Sequence, residues 1–313
     1  MKPLPTDIRV REVVTTTQSF AYRTPLKFGG VATTHAKILD VRMRIETRDG
    51  RSVWGSGSMP LGQTWSFPSK RIPATETLRA MEVLADKIAR WLPGQDECAH
   101  PVELNHQFEP EFVKLADATG REIGLVEPIP VLCTLVVASP FDAALHDAFG
   151  KAHGRHVYDC YGLEWMNADL SRYLDDQFRG EYLDRYTLRQ PKPRMPLYHL
   201  IGALDALADA DVKERLDDGL PNTLGEWIVK DELTHLKIKL NGNDAAWDIN
   251  RVLAIDRVTS EVQAKRGCTD WYYSLDFNEQ CPNVAYLVEV LQTIESKNPT
   301  AFARAMYVEQ PTA

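Results

Sequence analysis

Leu236-Lys237-Ile238-Lys239-Leu240 is the stretch on which the reading of this chain turns. Its apolar residues alternate with lysines, which is the period of a strand with one face on a core. Three comparable runs flank it: Leu197 to Ile201, Trp271 to Leu275, and Ala303 to Val308. Their centres recur every 33 to 39 residues, the size of one strand–helix repeat. Helical patterns fall between them, at Ala203 to Leu216, Ala246 to Arg266 and Val284 to Glu295. Strand and helix alternating at a fixed period predict parallel strands, in a barrel or a doubly wound sheet.

A closed eight-stranded barrel needs roughly 250 residues. Only 118 run from Pro196 to Ala313. Four parallel strands would leave two open edges. The expectation is therefore the first half of a barrel, truncated after strand four, in a chain that is a fragment of a longer protein.

Upstream the pattern is different. Lys37 to Thr47 alternates with period two, Asp49-Gly50 reads as a hairpin turn, and Ser52 to Ser58 can return alongside. Arg11 to Ala21 reads as an earlier strand, and Gly55 and Gly57 mark a bend or a close backbone approach. Thr75 to Trp91 carries apolar residues at helical spacing and stops at Pro93-Gly94. A second helix is expected to start at Ser139 as N-cap, with Pro140 in its first position and Gly154 closing it. Residues 1–160 thus read as an α+β domain, 161–195 as a polar insertion or linker, and 196–313 as the half barrel.

The 313 residues are 44% apolar, enough for a sizeable core. Basic residues number 36 against 44 acidic, a net charge of −8, which argues against a nucleic-acid partner. Five widely spaced cysteines with no C-x-x-C pair read as reduced thiols. The first thirty residues lack an apolar signal segment, and the longest apolar run, Val131 to Ala138, is far short of the roughly 20 residues of a membrane span. The expected setting is cytoplasmic, with no membrane partner.

The carboxyl ends of parallel strands carry active sites in α/β folds. Here they carry Lys237 and Lys239, then Asp276, Phe277 and Asn278, then Glu309, Gln310 and Pro311. Lys239 and Asp276 are 37 residues apart, and Asp276 and Glu309 are 33 apart, so the three should share one level. Lys237 and Lys239 point to one face. Burial and mutual repulsion would lower a lysine towards the working pH, where it can act as a base. The bland alternative is the solvated face of an edge strand. Two carboxylates on adjacent strand ends call for a cation, and hard oxygen donors suit Mg²⁺. The bland alternative is that Asp276 or Asn278 caps the next helix.

The ordered set of motifs resembles the enolase superfamily, in the mandelate racemase/muconate lactonizing enzyme group. The segments that carry it are Arg23 to Gly29 with the Gly55/Gly57 return, Ala138 to Ala152 continuing to Val157-Tyr158 and Gly162, Lys237-Ile238-Lys239, and the pair Asp276-Phe277-Asn278 and Glu309-Gln310-Pro311. The resemblance implies an N-terminal α+β capping domain followed by a (β/α) TIM-type barrel. It implies Lys239 as the base and Lys237 as its companion on the substrate carboxylate. Asp276 and Glu309 match two metal ligands for Mg²⁺, and Asn278 lines the site. Phe28, Gly29 and the loop near Gly57 match the capping loops that close over substrate. The implied reaction is proton abstraction next to a carboxylate through an enediolate, with a small carboxylate substrate and a homo-oligomeric enzyme.

Departures accompany the likeness. The family's third carboxylate ligand on strand five, its second acid/base on strand six or seven, and its closing strands are not in this sequence. The 161–195 stretch is longer than usual, and Ser58-Met59 stands where a small acidic ending is common. Gln310 after the glutamate favours racemase, epimerase or cycloisomerase chemistry, with acid-sugar dehydration as the alternative. A non-catalytic binding protein that keeps the fold is the reading from another class.

Overall fold

Alternation builds the amino-terminal sheet. The computed structural model describes residues 3–28 and 31–312, with the backbone alone at 26–28 and 31–32. The chain divides into two units, one of Met1–Arg23 and Thr34–Pro191, the other of Thr24–Thr33 and Lys192–Ala313. β1 (Ile8–Phe28), β2 (Val31–Thr47) and β3 (Ser52–Pro60) stand in that order in one sheet, most of which belongs to the first unit. β2 and β3 are antiparallel, with Val41 opposite Gly57 and Met43 opposite Gly55. Leu39, Val41, Met43 and Ile45, two apart, are all buried, so one face is core. The turn falls at Asp49-Gly50, where Gly50 takes a φ of 85° that other residues resist.

Helices α1 (Gln63–Ser66), α2 (Ala74–Trp91), α3 (Pro101–Glu122) and α4 (Val131–His153) follow. α4 lies directly on β3. A Cβ on Gly55 would stand 2.1 Å from the Ala144 carbonyl oxygen, and one on Gly57 2.2 Å from that of Pro140. Both glycines are therefore required by the helix backbone pressed against the strand. α4 is long and apolar enough to cross a membrane by length and composition, and 56% of its apolar window is buried. Cys133, Val137, Phe141, Leu145 and Phe149 place it in the core of this unit.

One expectation fails here and one helix is additional. Ser139-Pro140 does not start a helix, because α4 runs through both. Pro140 lacks an N–H, and the Ser139 hydroxyl instead donates to the Leu135 carbonyl at 2.8 Å. Gly154 does close the helix, in the left-handed region at φ 60°. α3 was not anticipated, since its apolar residues are sparse and Pro110 lies inside it.

Residues 161–191 form short 3-10 turns at Leu170–Arg172, Asp176–Phe178 and Leu183–Arg185. They are tied to α3 by buried Glu103. Its carboxylate accepts from Arg172 Nη2 at 2.6 Å and from the Tyr173 hydroxyl at 2.8 Å. Burial pushes the Glu103 carboxyl up, but hydrogen bonds from Arg172, Gln107 and Tyr173 outweigh it and hold the group below its ordinary range.

The second unit holds β4 (Tyr198–Ile201), α5 (Leu224–Lys230), β5 (His235–Lys239), α6 (Ala245–Arg266), β6 (Tyr272–Asp276), α7 (Val284–Lys297), α8 (Pro299–Ala303) and β7 (Ala305–Glu309). The four strands are parallel, in the order β4-β5-β6-β7. The fold is thus α/β, with one antiparallel and one parallel sheet. One face of the parallel sheet is buried, with Ile201, Ile238 and Leu275 in the same core as Val252, Ile255, Val290 and Ile294 of the helices. The other face is open at its two edge strands, where Tyr198 and Tyr307 are 43% and 45% exposed.

The helix expected at Ala203 to Leu216 is instead a loop with a single 3-10 turn, and α5 comes after it. Aspartates capture the backbone there. Asp205 accepts from the Gly202 N–H at 2.7 Å, and Asp211 from those of Leu207 and Ala208 at 3.0 Å. These bonds compete with a helical ladder. α5 then starts at a capping box of Thr223 and Glu226.

Candidate active site

Parallel pairing puts Lys239, Asp276 and Glu309 on one rung, at the carboxyl ends of β5, β6 and β7. Lys237, Ser274 and Tyr307 form the rung two residues earlier. Residues two apart share a face, so both lysines, both carboxylates and the hydroxyls of Ser274 and Tyr307 meet on the open side of the sheet.

Lys237 Nζ donates to both oxygens of Glu309 at 2.6 Å and lies 2.9 Å from Asp276 Oδ2. Lys239 Nζ donates to Asp276 Oδ2, and to Asn278 Oδ1 at 2.8 Å. The Asn278 N–H in turn donates to Asp276 Oδ1 at 2.9 Å. Four expected site residues on the strands and Asn278 are therefore brought together. Gly29 lies outside the described residues, and of Phe28 only the backbone is described, at the end of β1. Gly57 faces α4 rather than an open loop, which makes it a packing residue.

Both bland alternatives fail on geometry. Lys239 is 6% exposed on an interior strand, so it is no solvated edge residue. The N-cap of α7 is Asn283, so neither Asp276 nor Asn278 fills that role.

The electrostatics differ from expectation in one respect. Burial does act to lower Lys237, but hydrogen bonds to Glu309 and Asp276 outweigh it and raise the ammonium above its ordinary value. The lowering expected of paired lysines is thus reversed at Lys237, because its ammonium is bonded to two carboxylates. Burial pushes Asp276 up, yet its bonds from Lys239, Lys237 and the Asn278 N–H hold it below the usual carboxylate range.

The loops that leave these strands are strained and joined. Asn278, Glu279 and Gln310 have φ of 51°, 61° and 40°, left-handed values uncommon for residues with a side chain. The Glu279 N–H donates to the Gln310 carbonyl at 2.7 Å and that of Cys281 to the Pro311 carbonyl at 2.9 Å. The pairing of β6 with β7 therefore continues past the strand ends.

Sequence reasoning missed a hydroxyl cluster. The Tyr198 hydroxyl bonds Ser274 Oγ, and Tyr307 at 2.7 Å. Ser274 and Tyr307 stand two residues before Asp276 and Glu309, and that period-two offset was the available signal.

Asp276 and Glu309 offer carboxylate oxygens on one rung, where the Lys237 ammonium now bridges them. The two carboxylates fit a hard divalent ion of the magnesium type, which takes one or two carboxylates and completes its shell elsewhere. Among the described residues no group of three or more His, Cys, Asp and Glu side chains is placed to hold a metal ion. The five cysteines are free, and burial pushes the Cys133 thiol up to about 12.

No family model and no curated protein matches the chain in sequence. Solved structures match it in shape. An enolase from Bradyrhizobium complexed with magnesium and mandelic acid aligns at a TM-score of 0.54 and 15% identity, over 98% of this chain and 62% of that one. A dipeptide epimerase from Enterococcus faecalis, complexed with Mg and the dipeptide L-Leu-L-Tyr, aligns at 0.52 and 16%, over 97% and 62%. An L-talarate/galactarate dehydratase from Salmonella typhimurium aligns at 0.50 and 16%, over 98% and 59%. The chain spans about 62% of the length of the first of these structures. In fold, the chain is similar to solved enolase, dipeptide epimerase and mandelate racemase/muconate lactonizing protein structures.

Proposed function

We propose that this chain carries the proton-abstracting part of an Mg²⁺-dependent enzyme acting next to a substrate carboxylate. The observation that carries the reading is the single rung of Lys239, Asp276 and Glu309, with Lys237 reaching into it from below. The magnesium named for several structural neighbours supports the same reading.

Lys239, once its ammonium has given up a proton, takes the α-proton at Nζ, and the C–H electron pair passes into the carboxylate. Lys237, held charged by its carboxylates, binds and orients the substrate carboxylate. Asp276 and Glu309 would hold the metal, and Asn278 accepts a hydrogen bond from Lys239 and helps to hold it in place. When bound, the ion would neutralise the charge that builds on the substrate as the proton leaves. The four parallel strands are read as part of a (β/α) barrel, which their open face supports. A racemase, epimerase or cycloisomerase is favoured over an acid-sugar dehydratase. A carboxylate-binding protein without turnover is the competing reading, favoured by a set of only two carboxylates.

The test is exchange of the α-proton with D₂O, followed by NMR. N-acyl amino acids, dipeptides and acid sugars are offered to the protein with and without Mg²⁺. Magnesium-dependent exchange on one class is expected. Binding of a carboxylate without exchange would leave the binding-protein reading in its place.

A further inference from the structure

Asp248 sits in the first turn of α6, fully buried, and it does not cap its own helix. That role belongs to Asp244, which accepts from the Trp247 N–H at 3.0 Å. Asp248 instead accepts from the backbone N–H of Asn241 at 2.8 Å and of Gly242 at 3.0 Å. These are the second and third residues after Lys239. The same carboxylate accepts from the Tyr286 hydroxyl of α7 at 2.7 Å.

The loop it holds is pressed on the next one. Gly242 has a φ of 74°, and a Cβ there would stand 2.8 Å from Gln280 Cβ and 3.0 Å from the Cys281 nitrogen. The second loop begins at Asn278, whose side chain accepts from Lys239 Nζ. One buried carboxylate thus ties the loop after β5, the loop after β6 and helix α7 into a single block.

The geometry points to Asp248 as a positioning residue that holds Lys239 against Asp276 and Asn278 by fixing both βα loops. This rests on the reading of Lys239 as the base. A buried carboxylate that only solvated its own loop would need neither Tyr286 nor the contact at Gln280.

The experiment is amide deuterium exchange on the full chain, read by mass spectrometry in peptides covering 240–243 and 277–281. Asp248→Ala is expected to speed exchange about tenfold or more in both loops. Tyr286→Phe, which keeps the ring and removes one bond, should speed it a few-fold in 240–243. Asp256→Asn is the control, because it breaks a buried pair with Arg304 ahead of β7. It should lower Tm and leave both loops protected.

If Asp248→Ala loosens 240–243 and leaves 277–281 unmoved, Asp248 is a local loop anchor and the inference is overturned. It is also overturned if Asp256→Asn loosens both loops equally. Should Asp248→Ala not fold, an unchanged 240–243 in Tyr286→Phe overturns it. These readouts need no substrate or metal, so they can fail while α-proton exchange succeeds, and the reverse. On any carboxylate the wild-type chain turns over, Asp248→Asn should lower kcat about tenfold with KM within about twofold.

Discussion

Glu103 on α3 and Asp276 on β6 are both buried carboxylates facing cations, and their surroundings differ. Glu103 is a single acid ringed by donors, from Arg172, Tyr173 and Gln107. Those donors belong partly to a segment some seventy residues on, which the acid fastens to α3. Asp276 shares its space with a second acid and two lysines, all on strands that backbone pairing already holds together. Collecting like charges in pairs costs desolvation and repulsion, and here it secures no distant segment, only Asn278 two residues on. A charge cluster that fastens something is architecture. One that fastens little is a candidate for chemistry.

The sharpest way to break that contrast is to exchange the consequences. Lys239→Ala should lower α-proton exchange by about a thousandfold, or about 4 kcal/mol, while the fold survives. Exchange that persists within tenfold of wild type would remove Lys239 as the base. Glu103→Ala should do the opposite. It should cost about 3 kcal/mol in a denaturant titration and release amide protection across 170–185, with exchange chemistry intact. A loss below about 1 kcal/mol would mean that Glu103 fastens nothing.

Acidification sharpens the contrast next. Burial lowers His100 from 6.5 to about 3, so the folded chain keeps it neutral while the unfolded chain binds a proton below pH 6.5. Stability is therefore fully present above pH 6.5 and falls as pH drops towards 3, by about 2 kcal/mol at pH 5. His153 and His199, also lowered by burial, act in the same sense. The lowered carboxyls of Glu103 and Asp276 add stability above the ordinary carboxylate range, and that stability is lost only as pH falls below it. A stability curve flat between pH 7 and 5, read from urea midpoints, would refute the buried neutral histidine. The smallest effect is expected at Thr223→Ala, which removes the N-cap of α5 and should cost about 1 kcal/mol while leaving exchange untouched.

The parallel sheet was legible because its signal is geometric. Period-two alternation and a near-constant strand spacing place Lys237, Lys239, Asp276 and Glu309 within a residue or two of where they stand. Asn278 followed from adjacency. The failures share another cause. At 203–216 the apolar spacing suits a helix, but Asp205 and Asp211 bind backbone N–H groups that a helix would need. At Ser139-Pro140 the local cap signal is overridden by packing on β3, where Gly55 and Gly57 admit the helix backbone. Asp248 was invisible because two of its partners are main-chain groups, which no sequence pattern marks, and the third, Tyr286, lies on another helix.

The bond from the Gly242 N–H to Asp248 has a chemical consequence as well as a mechanical one. Asn241-Gly242 is the pair in which a side-chain amide is most readily lost, since the following backbone nitrogen can attack the amide carbon and glycine offers no hindrance. In the fold that nitrogen's hydrogen is engaged by a buried carboxylate, so the attack is held back. The same carboxylate that orders the loop thus slows its ageing. Stored protein should gain one mass unit at Asn241 more slowly than the unfolded chain does.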